Sequence, residues 1–231
     1  LVHPVVCLQS VALNRMEANK IKTSTVIIAI AVVVVVEISV RLAINHNLVT
    51  HLTGLGLARL AEIILLLIIV KNRQHSMASI GLTASHMANG FKRGLIWAVS
   101  FGAAVGIVLL IFYLVGIKIS GLFRIQLPSD GNRLVTFLLV GVLIGPMAEE
   151  IFFRGILYGF FRKWGVPTAI LLSTLLFVLS HTQTSGSIIP VTQLIGGILF
   201  AISYEVEKNL LVPLTIHCLG NLAIFTLALF L

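Results

Sequence analysis

The chain of 231 residues is 58% hydrophobic and 10% charged, and its mean hydropathy is +1.08. A soluble domain carries about 25% charged residues, so this composition excludes an ordinary soluble protein and predicts an integral membrane protein. The net charge of +8 does not indicate nucleic-acid binding, because the lysines and arginines stand in short flanks between apolar runs.

The first 20 residues contain no basic start followed by an apolar core and a small-residue cleavage site, so we expect no signal peptide there. The two cysteines, Cys7 and Cys218, are far apart in the sequence and fit no metal-ligand spacing. They predict neither a disulfide framework nor a metal centre.

Apolar runs suited to membrane spans follow along the chain. A hydrocarbon core of about 30 Å needs roughly 20 helical residues. We predict an all-α, polytopic membrane protein with about seven transmembrane helices, in a single integral membrane domain over residues 1–231. The runs are 25–43, 54–70, 94–116, 135–161, 167–182, 187–203 and 210–231. The fifth and sixth are short for a span, although Gly, Pro or polar residues bound each of them.

The basic residues between the runs predict a multi-pass cell-membrane protein with its N-terminus in the cytoplasm and its C-terminus outside. On the expected cytoplasmic side are Arg15, Lys20, Lys22, Lys71, Arg73, Lys92, Arg93, Arg162, Lys163 and Lys208, and on the opposite side Lys118, Arg124 and Arg133. The segment 72–93 has basic ends and scattered apolar residues. It is predicted to form either a broken amphipathic helix at the interface or a polar loop.

The fourth run contains three charges, Glu149, Glu150 and Arg154. A charge at the centre of a membrane helix costs about 2.5 to 3.5 kcal/mol, so these groups must be paired or must face a polar cavity. Glu150 and Arg154 have the i, i+4 spacing of a helical ion pair, whereas Glu149 points about 100° away. The cluster is either a structural ion-pair network or a functional site.

Two further runs carry polar residues at similar predicted depth. The fifth ends in FVLSH, with His181, and the seventh contains HCLGN, with His217 and Asn221 on one helical face. A lone membrane histidine is more often a hydrogen-bond partner than a catalyst. Glutamate, histidine and asparagine from three separate spans favour a functional site.

Charged pairs also occur in the first two runs. Glu37 and Arg41 are four residues apart, and Arg59 and Glu62 are three apart. Because neither pair leaves a spare charge, we expect both to be structural.

The stretches EEIFFR, FVLSH and HCLGN resemble the EExxxR, FxxxH and HxxxN signatures of the CAAX-protease and bacteriocin-processing family, whose best-known branch is the Rce1-type prenyl-protein endopeptidase. The resemblance is strongest over 135–225. It implies an intramembrane glutamic peptidase with its active site in the membrane interior and without a metal or other cofactor. The implied substrate is a membrane-associated protein or peptide, in a CAAX-like, bacteriocin-type or C-terminal sorting-tail reaction. A compact chain of this kind is typical of a prokaryotic inner membrane.

The resemblance also implies residue roles. Glu149 and His181 would activate water, and His217 and Asn221 would stabilise the oxyanion. Glu150 and Arg154 would support the site.

Two alternatives remain open from the residues alone. Glu149, His181 and His217 are ligand types that suit zinc, although no HExxH motif is present. A non-catalytic scaffold or transporter subunit would use the same residues as a buried polar network. A cysteine nucleophile is disfavoured, because Cys218 adjoins His217 and points about 100° away from it on a helix.

Overall fold

A computed structural model describes residues 21–117, 127–185 and 190–228. Within these ranges the chain forms seven helices and no β-strand. The helices are α1 (Thr23–Asn45), α2 (His51–Gln74), α3 (Met87–Leu114), α4 (Gly131–Trp164), α5 (Val166–Ser185), α6 (Val191–Glu207) and α7 (Leu211–Ala228). The predicted all-α polytopic fold is confirmed, and each of the seven predicted runs overlaps one helix.

Five helical segments are long and apolar enough to cross a membrane. They are α1, α2, α4, α7 and the segment Ala84–Leu114, in which a short 3-10 turn runs directly into α3. Helix α5 is apolar but shorter, and α6 has 17 residues. Large apolar side chains are exposed on the outer faces, among them Val99 at 70% and Leu171 at 65%. Contiguous apolar surface of this kind is suited to lipid rather than to water. The chain is therefore a multi-pass membrane protein.

Helix α4 forms the centre of the core. Its residues Ile156, Leu157 and Tyr158 are at most 2% exposed and belong to the main hydrophobic cluster. Asp130 caps the start of the helix by accepting a hydrogen bond from the backbone N–H of Arg133 at 3.1 Å. Glu150 and Arg154, which lie in the same part of α4, are therefore inside the bundle.

Two stretches of α4 are π-helical, Leu139–Ile144 and Glu150–Tyr158. At the end of the first stretch, the N–H of Gly145 donates to the carbonyl of Val140, five residues earlier. A Cβ atom at Gly145 would lie 2.9 Å from that carbonyl oxygen, so the close approach requires glycine. Single π-helical turns are rare and often occur at functional sites.

Pro146 lies two residues after the end of the first π-helical stretch. It has no N–H, so the i to i−5 pattern leaves the carbonyl of Gly141 without a backbone donor. Asn221 of α7 supplies one, because its Nδ2 donates to that carbonyl at 2.8 Å. The hydrogen bond that Pro146 cannot make within α4 is thus replaced by one from α7.

Close contacts between small residues join α3 to the end of the chain. An added Cβ at Gly90 would meet the side chain of Asn209 at 2.5 Å, and one at Gly94 would meet the Cβ of Thr215 at 2.6 Å. Small residues at helix contacts let backbones approach closely in membranes. The contact of Gly94 with Thr215 therefore fixes the distance between α3 and α7 at a point two residues before His217.

Two short 3-10 turns, Met77–Ile80 and Ala84–His86, fill the connection between α2 and α3. Ile80 is fully buried and packs against Gly155 of α4. Of residues 75–86, Ser79, Ile80 and Gly81 are buried and the rest are exposed or half-buried. The prediction for 72–93, an interfacial broken helix or a polar loop, is compatible with this exposure, but it missed the buried turn by which Ile80 attaches the connection to the core.

Candidate active site

The two adjacent glutamates of α4 have different surroundings. Glu149 ends the α-helical stretch Gly145–Glu149, and its side chain is 19% exposed. Glu150 begins the second π-helical stretch and is fully buried. The structure thus separates an accessible carboxylate from an enclosed one, as their predicted angular offset requires.

Glu150 and Arg154 form a fully buried ion pair, with Nη1 of the arginine 3.0 Å from Oε1 of the glutamate. The predicted pairing is confirmed. Nη2 of Arg154 donates to the carbonyl of Gly197 at 3.3 Å, and the guanidinium lies over the rings of Phe177 and Phe200, at 4.5 and 5.1 Å from their centroids. The aromatic faces help to hold a cation out of water.

His217 connects the two carboxylates. Its Nδ1 donates to Oε1 of Glu150 at 2.8 Å, and its Nε2 lies 3.7 Å from Oε2 of Glu149. The ring stacks on Phe200 at 4.5 Å, with 20° between the planes. Glu150 and Phe200 together fix the orientation of this imidazole.

His181 approaches Glu149 from α5. A backbone carbonyl only accepts, so the 2.8 Å contact between Nδ1 and the carbonyl of Phe177 places a proton on Nδ1. This directs Nε2 towards Oε1 of Glu149, at 3.7 Å. The two histidines therefore direct equivalent ring nitrogens at the two oxygens of one carboxylate.

The separations of 3.7 Å exceed a direct hydrogen bond, whose heavy atoms lie about 2.7 to 3.2 Å apart. Polar atoms at such a separation are commonly bridged by water. A water molecule held between Glu149 and Nε2 of His181 would meet acceptors on both sides and would donate a hydrogen bond to each. The arrangement suits the activation of water.

Asn221 is one helical turn beyond His217, as predicted. Its side-chain amide donates a hydrogen bond to the carbonyl of Gly141 in α4 and not to the glutamates or histidines. Among the predicted site residues, the structure brings together Glu149, Glu150, Arg154, His181 and His217. Asn221 borders this group from the side of the π-helical stretch.

A second charged group, not predicted as part of the site, lies beside Glu149. Arg59 of α2 binds Glu62 within its own helix, as expected, and also Glu37 of α1 at 2.7 Å. Helix α2, which carries Arg59 and Glu62, packs against the stretch of α4 that ends at Glu149. The expected pairing of Glu37 with Arg41 is therefore replaced by a contact between helices. Spacing within one helix gives no signal for such a contact.

A metal site was the other chemistry that these residue types left open. Over the described ranges, no group of three or more His, Cys, Asp and Glu side chains is arranged to hold a metal ion.

Comparison with known protein families gives one match, which covers the region of the candidate site. Residues 131–223, from the start of α4 into α7, match the family model described as type II CAAX prenyl endopeptidase Rce1-like. Over this region, which is less than half of the chain, the protein is similar to the Rce1-like family, and the resemblance of the three motifs is confirmed. The match indicates a CAAX-type intramembrane protease, that is, a peptidase that acts in a membrane on a protein or peptide. Searches of curated proteins and of solved structures gave no match.

Proposed function

We propose that the protein hydrolyses a peptide bond in a membrane-associated protein or peptide, with a water molecule activated by Glu149 and His181. One observation carries this proposal. Nε2 of His181 and Nε2 of His217 face the two oxygens of Glu149, each at 3.7 Å. A carboxylate withdrawn from bulk water and flanked by oriented imidazoles suits general-base catalysis.

In the proposed reaction Glu149 takes a proton from water while His181 Nε2 accepts the second hydrogen bond and orients the molecule. The water oxygen bonds to the carbonyl carbon of the substrate, and the carbonyl electron pair moves to the oxygen. When this oxyanion collapses, the C–N bond breaks and Glu149 returns the proton to the amine nitrogen. The products are a carboxylic acid and an amine, and Glu149 is ionised again. The acid then gives its proton to the amine, so the products leave as a carboxylate and an ammonium group.

His217 and Asn221 are proposed to stabilise the oxyanion. Nδ1 of His217 donates to Glu150, so donation from Nε2 to the oxyanion requires the doubly protonated ring. The Nδ2 group of Asn221 has two protons, and its bond to Gly141 uses one. Preorganised donors of this kind act more strongly away from bulk water.

Glu150 and Arg154 are proposed as positioning residues. Glu150 orients His217, and Arg154 neutralises the charge of Glu150 in an environment that excludes water. This arrangement matches the general pattern in which a third group orients a catalytic histidine.

The substrate is proposed to be a CAAX-like tail, a bacteriocin-type peptide or a C-terminal sorting tail. The proposed setting is a prokaryotic inner membrane, with the chain acting as one domain, its N-terminus in the cytoplasm and its C-terminus outside. These proposals come from the family's range of reactions and from the distribution of basic residues.

Comparative mass spectrometry of membrane-protein termini tests the function. Membranes with the active protein should contain new C-terminal or N-terminal ends that are absent with Glu149→Gln and with His181→Ala. His46→Ala is the matched control, since His46 is exposed at the end of α1. The same termini in all four samples would contradict the proposal.

A further inference from the structure

A carboxylate of α1 lies at membrane depth and is accessible. Glu37 is about 12 Å along the helix from the Asn45 end, at 1.5 Å per residue, and its side chain is 44% exposed. Ionisable groups at such depth face the bundle interior or a water-filled cavity, because hydrocarbon does not solvate them. The exposure of Glu37 therefore needs an explanation other than contact with lipid.

The face of α1 that carries Glu37 is turned towards α2. Val33, one turn earlier, packs on the main core, and Val40, one turn later, contacts the position of Gly54 in α2. The neighbouring residues Val34 and Ile38 are 48% and 55% exposed and lie on the apolar outer face. Glu37 is thus exposed along the contact between two helices.

A series of accessible polar groups leads from this position to Glu149. Glu37 binds Arg59 at 2.7 Å, and α2, which carries Arg59, packs against the stretch Gly145–Glu149 of α4. The side chains of Glu37, Arg59 and Glu149 are 44%, 22% and 19% exposed. Glu62 beside them is 2% exposed, and its Oε1 has no hydrogen-bond partner among the described residues. The accessible surface thus decreases from Glu37 to the candidate base.

We propose that α1 and α2 form a polar, water-accessible entrance to Glu149, with Glu37 and Arg59 at its mouth. The proposal rests on the proposed function in one respect, since water is a substrate of the hydrolysis. It gives the N-terminal helix pair, which lies outside the family match, a part in supplying the active site.

Cysteine labelling tests the mouth of the entrance. In a background with Cys7→Ser and Cys218→Ala, single Glu37→Cys and Ile38→Cys variants are reconstituted in liposomes and treated with a charged, water-soluble methanethiosulfonate reagent. A thiol reacts as its thiolate, whose fraction falls at least about tenfold when the thiol leaves water. We expect Glu37→Cys to react at least about tenfold faster than Ile38→Cys. Equal rates would overturn the proposal.

A second pair of variants tests whether the entrance leads to Glu149. Glu149→Cys should be labelled by the same reagent, and Glu37→Trp should slow that labelling several-fold, whereas Ile38→Trp should leave it unchanged. An equal effect of the two tryptophans, or none, would overturn the connection. If Glu37→Cys alone does not fold, its combination with Arg59→Gln reports on the same position without a stranded cation. All readouts are labelling rates, so they do not depend on whether the protein cleaves a peptide.

Discussion

Glu149 and Glu150 are adjacent in sequence, but they have different partners, which indicate different roles. Glu149 faces two imidazole nitrogens and is partly accessible, whereas Glu150 is enclosed with Arg154 and His217. The first environment suits a group that exchanges protons with substrate. The second suits a group that holds other side chains in place.

Glu149→Gln keeps the shape of the side chain but removes the base. We expect a folded protein whose turnover falls about 100-fold or more, a typical loss for a positioned general base. The measurement is cleavage of a verified substrate, with thermal stability as the control. Near-normal turnover would show that another group activates the water.

Glu150→Gln should lower stability as well as activity. It leaves Arg154 as an unpaired, fully buried charge, and breaking a buried pair in this way typically costs about 3 to 5 kcal/mol. Thermal unfolding of Glu150→Gln, Arg154→Gln and the double variant measures the coupling. We expect the double variant to recover part of the stability. A stable but inactive Glu150→Gln would reverse the roles assigned to the two glutamates.

The proposed mechanism needs no metal ion, because Glu149 and His181 act on water directly. Cleavage by the purified protein should therefore survive thorough chelation. Elemental analysis should find less than one zinc per chain. A single bound zinc whose removal abolishes cleavage, and whose return restores it, would favour the zinc alternative.

At the scale of helices, the position of α7 depends on small residues in α3. Gly94 contacts Thr215, which precedes His217 by two residues, whereas Gly102 in the same helix has open space around it. The packing of α3 thus contributes to the geometry of the candidate site.

Gly94→Ala and Gly102→Ala form a matched pair. The added Cβ at Gly94 would lie 2.6 Å from that of Thr215, and overpacking of this kind typically costs about 1 to 3 kcal/mol. Gly102→Ala should be neutral or slightly stabilising, since alanine favours helix. Thermal unfolding and cleavage should both decline in Gly94→Ala alone. Equal behaviour of the two variants would show that α3 and α7 separate easily.

At the scale of the whole molecule, basic residues at the ends of helices bind the ends of neighbouring helices. Lys22 at the start of α1 donates to the carbonyl of Arg73 near the end of α2, and Arg93 of α3 binds Glu207 at the end of α6. These are ends that the sequence predicts to be cytoplasmic. Of the three basic residues predicted on the opposite side, the structure describes Arg133, while Lys118 and Arg124 lie outside the described residues.

Reporter fusions test this orientation. A fusion near Lys163 should report the cytoplasm, and a fusion after Leu231 should report the opposite side, because basic residues are retained on the cytoplasmic side during insertion. The enzymatic activity of a reporter that works in one compartment only is the measurement. The inverse pattern would overturn the orientation and would place the Glu37 mouth nearer the cytoplasm.

The sequence predicted what depends on composition and on spacing within one helix. Hydropathy predicted the seven helices, and i, i+4 spacing predicted the pair of Glu150 with Arg154. It could not predict contacts between helices, such as His217 with Glu150 or Glu37 with Arg59, because these depend on how the helices pack. The π-helical stretches were also missed, since i to i−5 bonding has no pattern of apolar residues that distinguishes it from an α-helix.

The π-helical turn Leu139–Ile144 also has an evolutionary consequence. A bond from residue i to i−5 encloses one residue more than the α-helical bond, so this turn absorbs a single inserted residue while the helix beyond it keeps its direction. A relative that lacks that residue can present the same two carboxylates from a helix that is α-helical up to the first of them. An alignment of such relatives should therefore open a one-residue gap between 139 and 144, and leave the glutamates in register.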